Sequence, residues 1–255
     1  MKIASIQLKV GDEPKSQRIG RAEELLDQAR GADLVILPEI WNVGYFSFDR
    51  YESEAEPIHG PTFQRMSAVA RQHRFHLHMG SFVEGWEGRL YNTSLLIDPD
   101  GKEIGRYRKI HLFGYGSRES QILTRGDRVV VVETGLGRFG ISTCYDLRFP
   151  ELFRNMVDQG AELFLVASGW PYPRLEHWLM FNRIRAIENT AFLISSNCVG
   201  INRGSRFCGH SMVVDPWGVI VASGGDEEGI IKAEIDINKV GVTRKEFPAL
   251  SDRVL

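Results

Sequence analysis

Cys144 stands where an apolar stretch stops. Phe139 and Ile141 lead through Ser142 and Thr143 to the thiol, and Tyr145, Asp146, Leu147, Arg148, Phe149, Pro150 and Glu151 follow. The pattern predicts a strand that ends at the cysteine and a helix behind it: Pro150 suits a first helical turn, and Leu152, Phe153 and Met156 recur at helical spacing before Gly160. A thiol at such an elbow lies on the rim of a sheet, where open α/β sheets place ligands, and a helix start beside it favours the thiolate. Cys144 is on these grounds a candidate nucleophile. The competing reading is the small buried hydrophobe that free cysteines commonly are.

A thiol nucleophile needs a base for its proton and donors for the oxyanion it creates on a carbonyl. A papain-type set would draw on His111 or His210, with Asn92 or Asn197 as orienter. Neither histidine closes an apolar strand, however, and the residues around Cys144 are not those of papain-like proteases. Carboxylate and ammonium groups make the stronger set. Glu39 ends the apolar run 34–37, where a lone ionised side chain is costly unless paired or useful, and Lys109 ends another strand after a polar turn. Taken alone, these two fit a catalytic pair and a partly buried ion pair equally well.

The elements that must carry these residues follow from the hydrophobic period. Residues 1–8 read as a buried strand. Ile19, Ala22, Leu25, Leu26 and Ala29 mark one face of a helix that closes at Gly31, and the continuous run 34–37 suits a strand buried on both faces. Residues 40–59 form a long loop rich in aromatic rings, of a length that is commonly functional. Gly60, Pro61 and Thr62 introduce a helix with Phe63, Met66, Val69 and Ala70 inward, followed by a strand over 75–83. Strands over 91–97 and 105–110 flank the turn Asp98, Pro99, Asp100, Gly101, and strands over 129–133 and 138–143 lead to Cys144.

The second half echoes the first. Gly160, Ala161, Glu162 and Leu163 open an apolar run as Gly31, Ala32, Asp33 and Leu34 do, a helix over 175–189 precedes a strand over 191–197, and Asp215, Pro216, Trp217 and Gly218 repeat the earlier turn. Two similar halves set Glu39 and residues 168–170 at corresponding strand ends across a pseudo-twofold axis. The expected architecture is two sheets packed face to face with helices outside, in a single domain over 1–255. Residues 236–255 are polar and lack a period, as a frayed tail or a strip lying on another subunit would. His76 and His78 share one side of a strand but have no third partner for a metal, and Cys198 and Cys208 read as structural.

Composition narrows the partners. The 255 residues are 43% hydrophobic and 25% charged with a formal net charge of -2, which gives no electrostatic reason to expect nucleic acid or an anionic membrane and favours a small molecule. Three widely spaced cysteines suit a reducing compartment rather than a disulfide framework or a thiolate zinc site. With no signal-peptide pattern and no bilayer-length apolar run, the expected location is the cytoplasm.

Three blocks carry a resemblance: Leu37, Pro38, Glu39; then Arg108, Lys109, Ile110, His111, Leu112, Phe113; then Cys144 through Glu151. In this order they resemble the signatures of the nitrilase, or carbon-nitrogen hydrolase, superfamily, and the likeness extends over the chain to Arg185, Ala186, Ile187, Glu188 and Asn189. The resemblance implies an α/β four-layer α-β-β-α sandwich of two mixed sheets. It also implies a catalytic set of Glu39, Lys109 and Cys144, with Glu119 as a further carboxylate, the Tyr145 N–H as oxyanion donor, no metal or organic cofactor, and a homodimer or higher homo-oligomer. The expected reaction is hydrolysis of a small amide through a thioester on Cys144, with release of ammonia.

The run from Cys144 to Glu151 resembles the ω-amidase and deaminated-glutathione amidase branches, and Trp170, Pro171, Pro173, Arg174, Leu175, His177 and Trp178 resemble bacterial ω-amidase-like members. An amide with a distal carboxylate, of the 2-oxoglutaramate type, is the expected substrate. Tyr45, Phe113, Tyr115, Trp170 and Tyr172 are expected as pocket walls, and Arg118, Arg148 or Arg174 as a carboxylate clamp. The alternatives are an N-carbamoyl amidohydrolase and a non-catalytic binding protein of the same fold.

Overall fold

The computed structural model describes residues 1–254. The first half comprises β1 (Lys2–Gln7), α1 (Lys15–Gln28), β2 (Leu34–Ile36), the single turn α2 (Tyr51–Glu54), α3 (Pro61–His73), β3 (His76–Trp86), β4 (Arg89–Ile97) and β5 (Glu103–Arg108). After the short α4 (Glu119–Ile122) come β6 (Val131–Thr134), β7 (Gly137–Thr143), α5 (Pro150–Asp158), β8 (Leu163–Ser168), α6 (Leu175–Asn189) and β9 (Phe192–Asn197). A small hairpin of β10 (Ile201–Asn202) and β11 (Ser205–Arg206) precedes β12 (Met212–Val214), β13 (Ile220–Ser223), β14 (Gly229–Glu234) and α7 (Asn238–Glu246).

The strands form two six-stranded sheets, ordered β14-β1-β2-β3-β4-β5 and β13-β12-β9-β8-β7-β6. β1, β2 and β3 run parallel, as do β7, β8 and β9, and every other pairing in these sheets is antiparallel. Read from β14 in one sheet and from β6 in the other, the two therefore show the same succession of directions. Leu34 pairs with Ile3 and His76, and Leu163 pairs with Phe139 and Phe192, so these leucines are equivalent. Five residues beyond each stand Glu39 and Ser168. The pseudo-twofold arrangement expected from the echoed motifs is thus present in the register.

Apolar side chains make the layers. Ile3, Leu34 and Ile36 of one sheet meet Phe139, Leu163 and Leu165 of the other in the central layer. Val35 and Leu77 face α1 and α3 through Leu26 and Met66, while Phe164 and Val166 face α5 and α6 through Phe153 and Trp178. Burying one such side chain stabilises the fold by roughly 1.5–3 kcal/mol, which is why these runs can be continuous rather than alternating.

Two glycines permit the close approaches that place the site. Gly80 lies at a bulge in β3 with φ 68°, and a Cβ there would stand 2.0 Å from the Pro38 carbonyl oxygen. Its absence lets the Ser81 N–H bond that carbonyl at 3.1 Å and fixes the turn carrying Glu39. Gly126 passes so close to β5 that a Cβ would stand 2.0 Å from the Arg108 carbonyl oxygen, and its N–H bonds the Lys109 carbonyl at 2.8 Å.

The loop after Glu39 is ordered by its own rings. Tyr45 meets Phe46 at 5.0 Å and Phe48 at 5.8 Å, edge to face, and the Tyr51 hydroxyl bonds the Tyr45 carbonyl at 2.6 Å. The polar segment after residue 236 begins with α7, docked on its own chain through buried Val240 and Thr243 and through Arg244, whose guanidinium reaches the Ala161 and Thr190 carbonyls. Leu255, the end of that tail, lies outside the described residues. No helix among the described residues is long and apolar enough to cross a membrane.

Candidate active site

Glu39, Lys109, Glu119 and Cys144 come from four separate elements and meet at the ends of the central strands. Glu39 follows β2; its N–H bonds the Ser168 carbonyl at 3.3 Å, and its Oε2 accepts from the Gly169 N–H at 2.9 Å. Lys109 follows β5, with Nζ 2.8 Å from Glu39 Oε1 and 2.9 and 3.0 Å from the two oxygens of Glu119. Glu119, at the first turn of α4, also accepts from the Tyr45 hydroxyl at 3.1 Å and the Phe113 N–H at 2.7 Å. All three charged groups have no solvent-accessible surface.

Cys144 opens a 3-10 turn over Cys144–Arg148 rather than the helix itself, which begins at Pro150. Its φ of 49° is left-handed, unusual for a residue with a Cβ, and is the kind of local strain a well-braced site sustains. Asp146 supplies the brace. Its Oδ2 accepts from the Thr143 N–H at 2.8 Å and the Tyr107 hydroxyl at 2.6 Å, and its Oδ1 accepts from the His111 N–H at 3.2 Å while lying 2.7 Å from His111 Nδ1. One carboxylate therefore ties the cysteine elbow to the segment that carries Lys109.

Burial and charge set the protonation states. Burial opposes the Lys109 ammonium, but Glu119 and Glu39 more than offset it and hold the group charged, above the usual lysine range. Burial raises Glu39, Lys109 acts against that rise, and Glu119 adds to it. The Cys144 thiol is pushed well above its ordinary range by burial and by the Glu39 carboxylate, while Lys109 and the nearby Ser168 hydroxyl favour the thiolate. The resting pair is thus a thiol beside a carboxylate able to take its proton.

A narrow cleft reaches the thiol, lined by Tyr45, Phe113, Tyr145, Arg148, Trp170 and Arg174, with Phe46, Gly169 and Pro171 completing it. Cys144 keeps 7% exposure, enough for contact with a ligand in the cleft. Arg148 lies over Trp170 and Phe181 at 5.1 Å from each ring and 5.9 Å from Tyr145, and its Nη2 is 3.0 Å from His177 Nδ1. Arg174 lies 5.3 Å from the Phe113 ring. Among the described residues neither arginine has a carboxylate partner.

The cleft gathers five of the eight residues expected as its lining; the other three stand elsewhere, Tyr172 with its hydroxyl donating to Asp226 at 2.8 Å. Tyr115 is 81% exposed, and Arg118 is exposed at the start of α4. In that short loop the inward positions are taken by Ser117 and Glu119, so their neighbours point out. His111 commits its Nδ1 to Asp146 and its ring to Phe149, stacked at 3.7 Å, and His210 Nδ1 lies 2.6 Å from the Cys208 carbonyl. Asn197 holds the Trp170 N–H at 2.7 Å. Asn92, weighed in the sequence only as an orienter for a histidine base, is bonded instead to Glu39 and Glu119, and Ser168 stands at the strand end opposite Glu39; neither showed a part in the carboxylate–lysine set by itself, because each looks like an ordinary polar residue of a strand.

The carbon-nitrogen hydrolase family profile matches residues 2–245. A 2-oxoglutaramate amidase of Paenarthrobacter nicotinovorans is 36% identical over 98% of this chain and 88% of its own length. A deaminated glutathione amidase of Synechocystis sp. is 36% identical over 94% of this chain and 93% of its own. The crystal structure of Saccharomyces cerevisiae Nit3, a member of branch 10 of the nitrilase superfamily, superposes with a TM-score of 0.91 at 32% identity, covering 100% of this chain and 97% of that one. With the four-layer sandwich and the site described, the chain belongs to the carbon-nitrogen hydrolase family. Within that family it is a cysteine-dependent amidase.

Proposed function

We propose that this amidase hydrolyses the terminal amide of a short ω-amido acid of the 2-oxoglutaramate type. The observation that carries the reading is the pair Arg148 and Arg174, two guanidinium groups lining the cleft at Cys144 without carboxylate partners. Burial works against the charge of Arg148, and Arg174 adds repulsion. An anionic group on the substrate would relieve both, and a guanidinium held over rings presents its planar edge to a carboxylate.

In the mechanism, Oε2 of Glu39 takes the proton from Sγ, and the thiolate attacks the amide carbon. The oxyanion takes the place of one Glu119 contact on the Lys109 ammonium and is shared with the Tyr145 N–H, which stands in the first turn of its 3-10 segment where no helical acceptor exists. Collapse breaks the C–N bond. Glu39 returns its proton to the departing nitrogen, ammonia leaves, and a thioester remains on Cys144. Water, oriented with help from Glu119, gives a proton to Glu39 as its oxygen bonds the thioester carbon; the C–S bond then breaks, the carboxylic acid leaves, and Glu39 returns the proton to Sγ.

The test compares ammonia release from an ω-amido acid and from a neutral amide of equal length, in the natural protein and in Arg148→Met and Arg174→Met. Loss of either clamp should raise KM for the acid by about tenfold or more and leave the neutral amide nearly unchanged. A preference for the neutral amide, or ammonia from a carbamoyl compound alone, defeats the ω-amide reading, and no turnover of any amide points to a binding protein.

The working unit in this proposal is a homodimer of single-domain chains. Met180, Ile184 and Ile187 on α6 are exposed and apolar, a surface that a symmetric contact would cover, with the C-terminal strip beside it. Sedimentation of Ile184→Asp as a monomer, against a dimer for the natural protein, checks this.

A further inference from the structure

Asn92, fully buried on β4, places its Nδ2 2.8 Å from Oε1 of Glu39 and 3.0 Å from Oε1 of Glu119. Its carbonyl accepts the Lys109 N–H at 2.9 Å, so the residue grips both the backbone of Lys109 and the carboxylates that Lys109 neutralises. The Oδ1 atom has no hydrogen-bond partner in the protein. The amide orientation is nevertheless fixed, since a flip would aim its oxygen at two carboxylates. A half-satisfied buried amide is a poor stability device, which directs attention to what its two N–H groups do.

An ammonium and an amide NH2 donate only, and an ionised carboxylate accepts only. Between the inner oxygens of Glu39 and Glu119 there stand only donors, Lys109 Nζ and Asn92 Nδ2. Two carboxyl groups this close otherwise share one proton. The donors also divide the labour within Glu39. Oε1 receives two hydrogen bonds, from Lys109 and Asn92, and each carboxylate oxygen offers about two acceptor sites. Oε2 receives one, from Gly169.

We propose that Asn92 is a positioning residue that selects the proton-accepting atom of the site: by saturating Oε1 of Glu39, it leaves Oε2 to receive the Cys144 proton and keeps Glu119 from sharing it. When Sγ–H breaks, its electron pair stays on sulfur and the proton forms the Oε2–H bond; the same proton later moves to the departing nitrogen. Asn92 itself lines no part of the cleft and touches no reacting atom. This assignment rests on the reading of Glu39 as base.

The groups acting on Glu39 come from every side: Lys109 after β5, Glu119 on α4, Cys144 at the elbow, Tyr45 and Tyr51 in the aromatic loop, and Cys198 after β9. Loss of one donor therefore reads out as a shift of the whole cluster's titration rather than of one isolated acid. Asn92→Ala should lower kcat by about 10- to 100-fold with KM within about threefold, and should move the acid limb of kcat/KM upward by about one pH unit, because the carboxylate has lost a donor. Asn92→Ser, which keeps one hydroxyl, should fall between. Alkylation of Cys144 by iodoacetamide should show the same displaced limb without any turnover, so an acid limb unchanged in both folded variants overturns the proposal. Glu39→Gln separates the two levels: if it is inactive while the Asn92 variants keep the natural limb, only the positioning role fails, and if it turns over normally the base assignment fails with it.

Discussion

Lys109 and Glu39 form an ion pair of 2.8 Å with neither side chain reaching solvent. Removing the cation leaves two buried carboxylates uncompensated, so Lys109→Ala should lower stability by roughly 3–5 kcal/mol in addition to its kinetic effect. Loss of the ammonium as oxyanion donor should reduce kcat by about 100-fold or more. Thermal unfolding and single-turnover rates on the folded fraction separate the two. A stable Lys109→Ala protein with near-natural turnover would show that the pair is neither structural nor catalytic.

The Ser168 hydroxyl is buried at the pseudo-symmetric counterpart of Glu39, has no hydrogen-bond partner in the resting protein, and favours the Cys144 thiolate. A hydrogen bond to a charged group contributes about 1.5–3 kcal/mol, so Ser168→Ala should slow iodoacetamide alkylation of Cys144 near neutral pH by about tenfold or more. The fold should be little affected, because no partner is left unpaired. Alkylation at the natural rate would mean that the hydroxyl does not meet the thiolate.

The part of this site visible in the sequence is the part that interrupts a pattern. Glu39 and Lys109 each end a strand with a residue type that burial disfavours, Cys144 puts a thiol at the end of another, and the two halves repeat a glycine-opened apolar run that the registers of β2 and β8 bear out. Asn92 was visible only as a partner for a histidine and Ser168 only as a strand end; their part beside the carboxylates and the thiol was not legible, because a polar residue inside a strand is ordinary until its neighbours on other strands are known. The choice among Arg118, Arg148 and Arg174 also needed coordinates, since each stands in a loop or turn, which has no period that says which residues point inward. α7 escaped for a different reason: it is held by Arg244 bonding carbonyl oxygens, and hydrogen bonds to backbone leave no hydrophobic stripe.

His111 provides a discrimination between bases. Its Nδ1 is engaged with Asp146, and its ring is stacked on Phe149. His111→Gln should keep kcat within about tenfold, the loss reflecting a looser elbow, whereas a histidine serving as the thiol's base would cost on the order of 1000-fold. pH–rate profiles of the variant decide it: retention of the natural acid limb assigns that limb to the carboxylate cluster.

His78 lies in the central layer on β3, beside Ile36 and Leu96, fully buried with neither ring nitrogen hydrogen-bonded in the protein. Burial lowers its pKa to about 3, against an ordinary value near 6.5. The unfolded chain therefore binds a proton between these values that the native protein excludes. Stability is unaffected by this group above about pH 6.5 and falls as the pH drops toward 3, by about 1.4 kcal/mol per unit, which amounts to roughly 3 kcal/mol near pH 4.5. His78→Leu removes both the unpaired nitrogens and the proton uptake. It should raise Tm at neutral pH, where burying unbonded polar atoms is itself costly, and the gain should widen on acidification. Urea melts of both proteins between about pH 4.5 and 7.5 measure the difference; a gain that does not grow as the pH falls would mean that His78 is hydrated or hydrogen-bonded in solution.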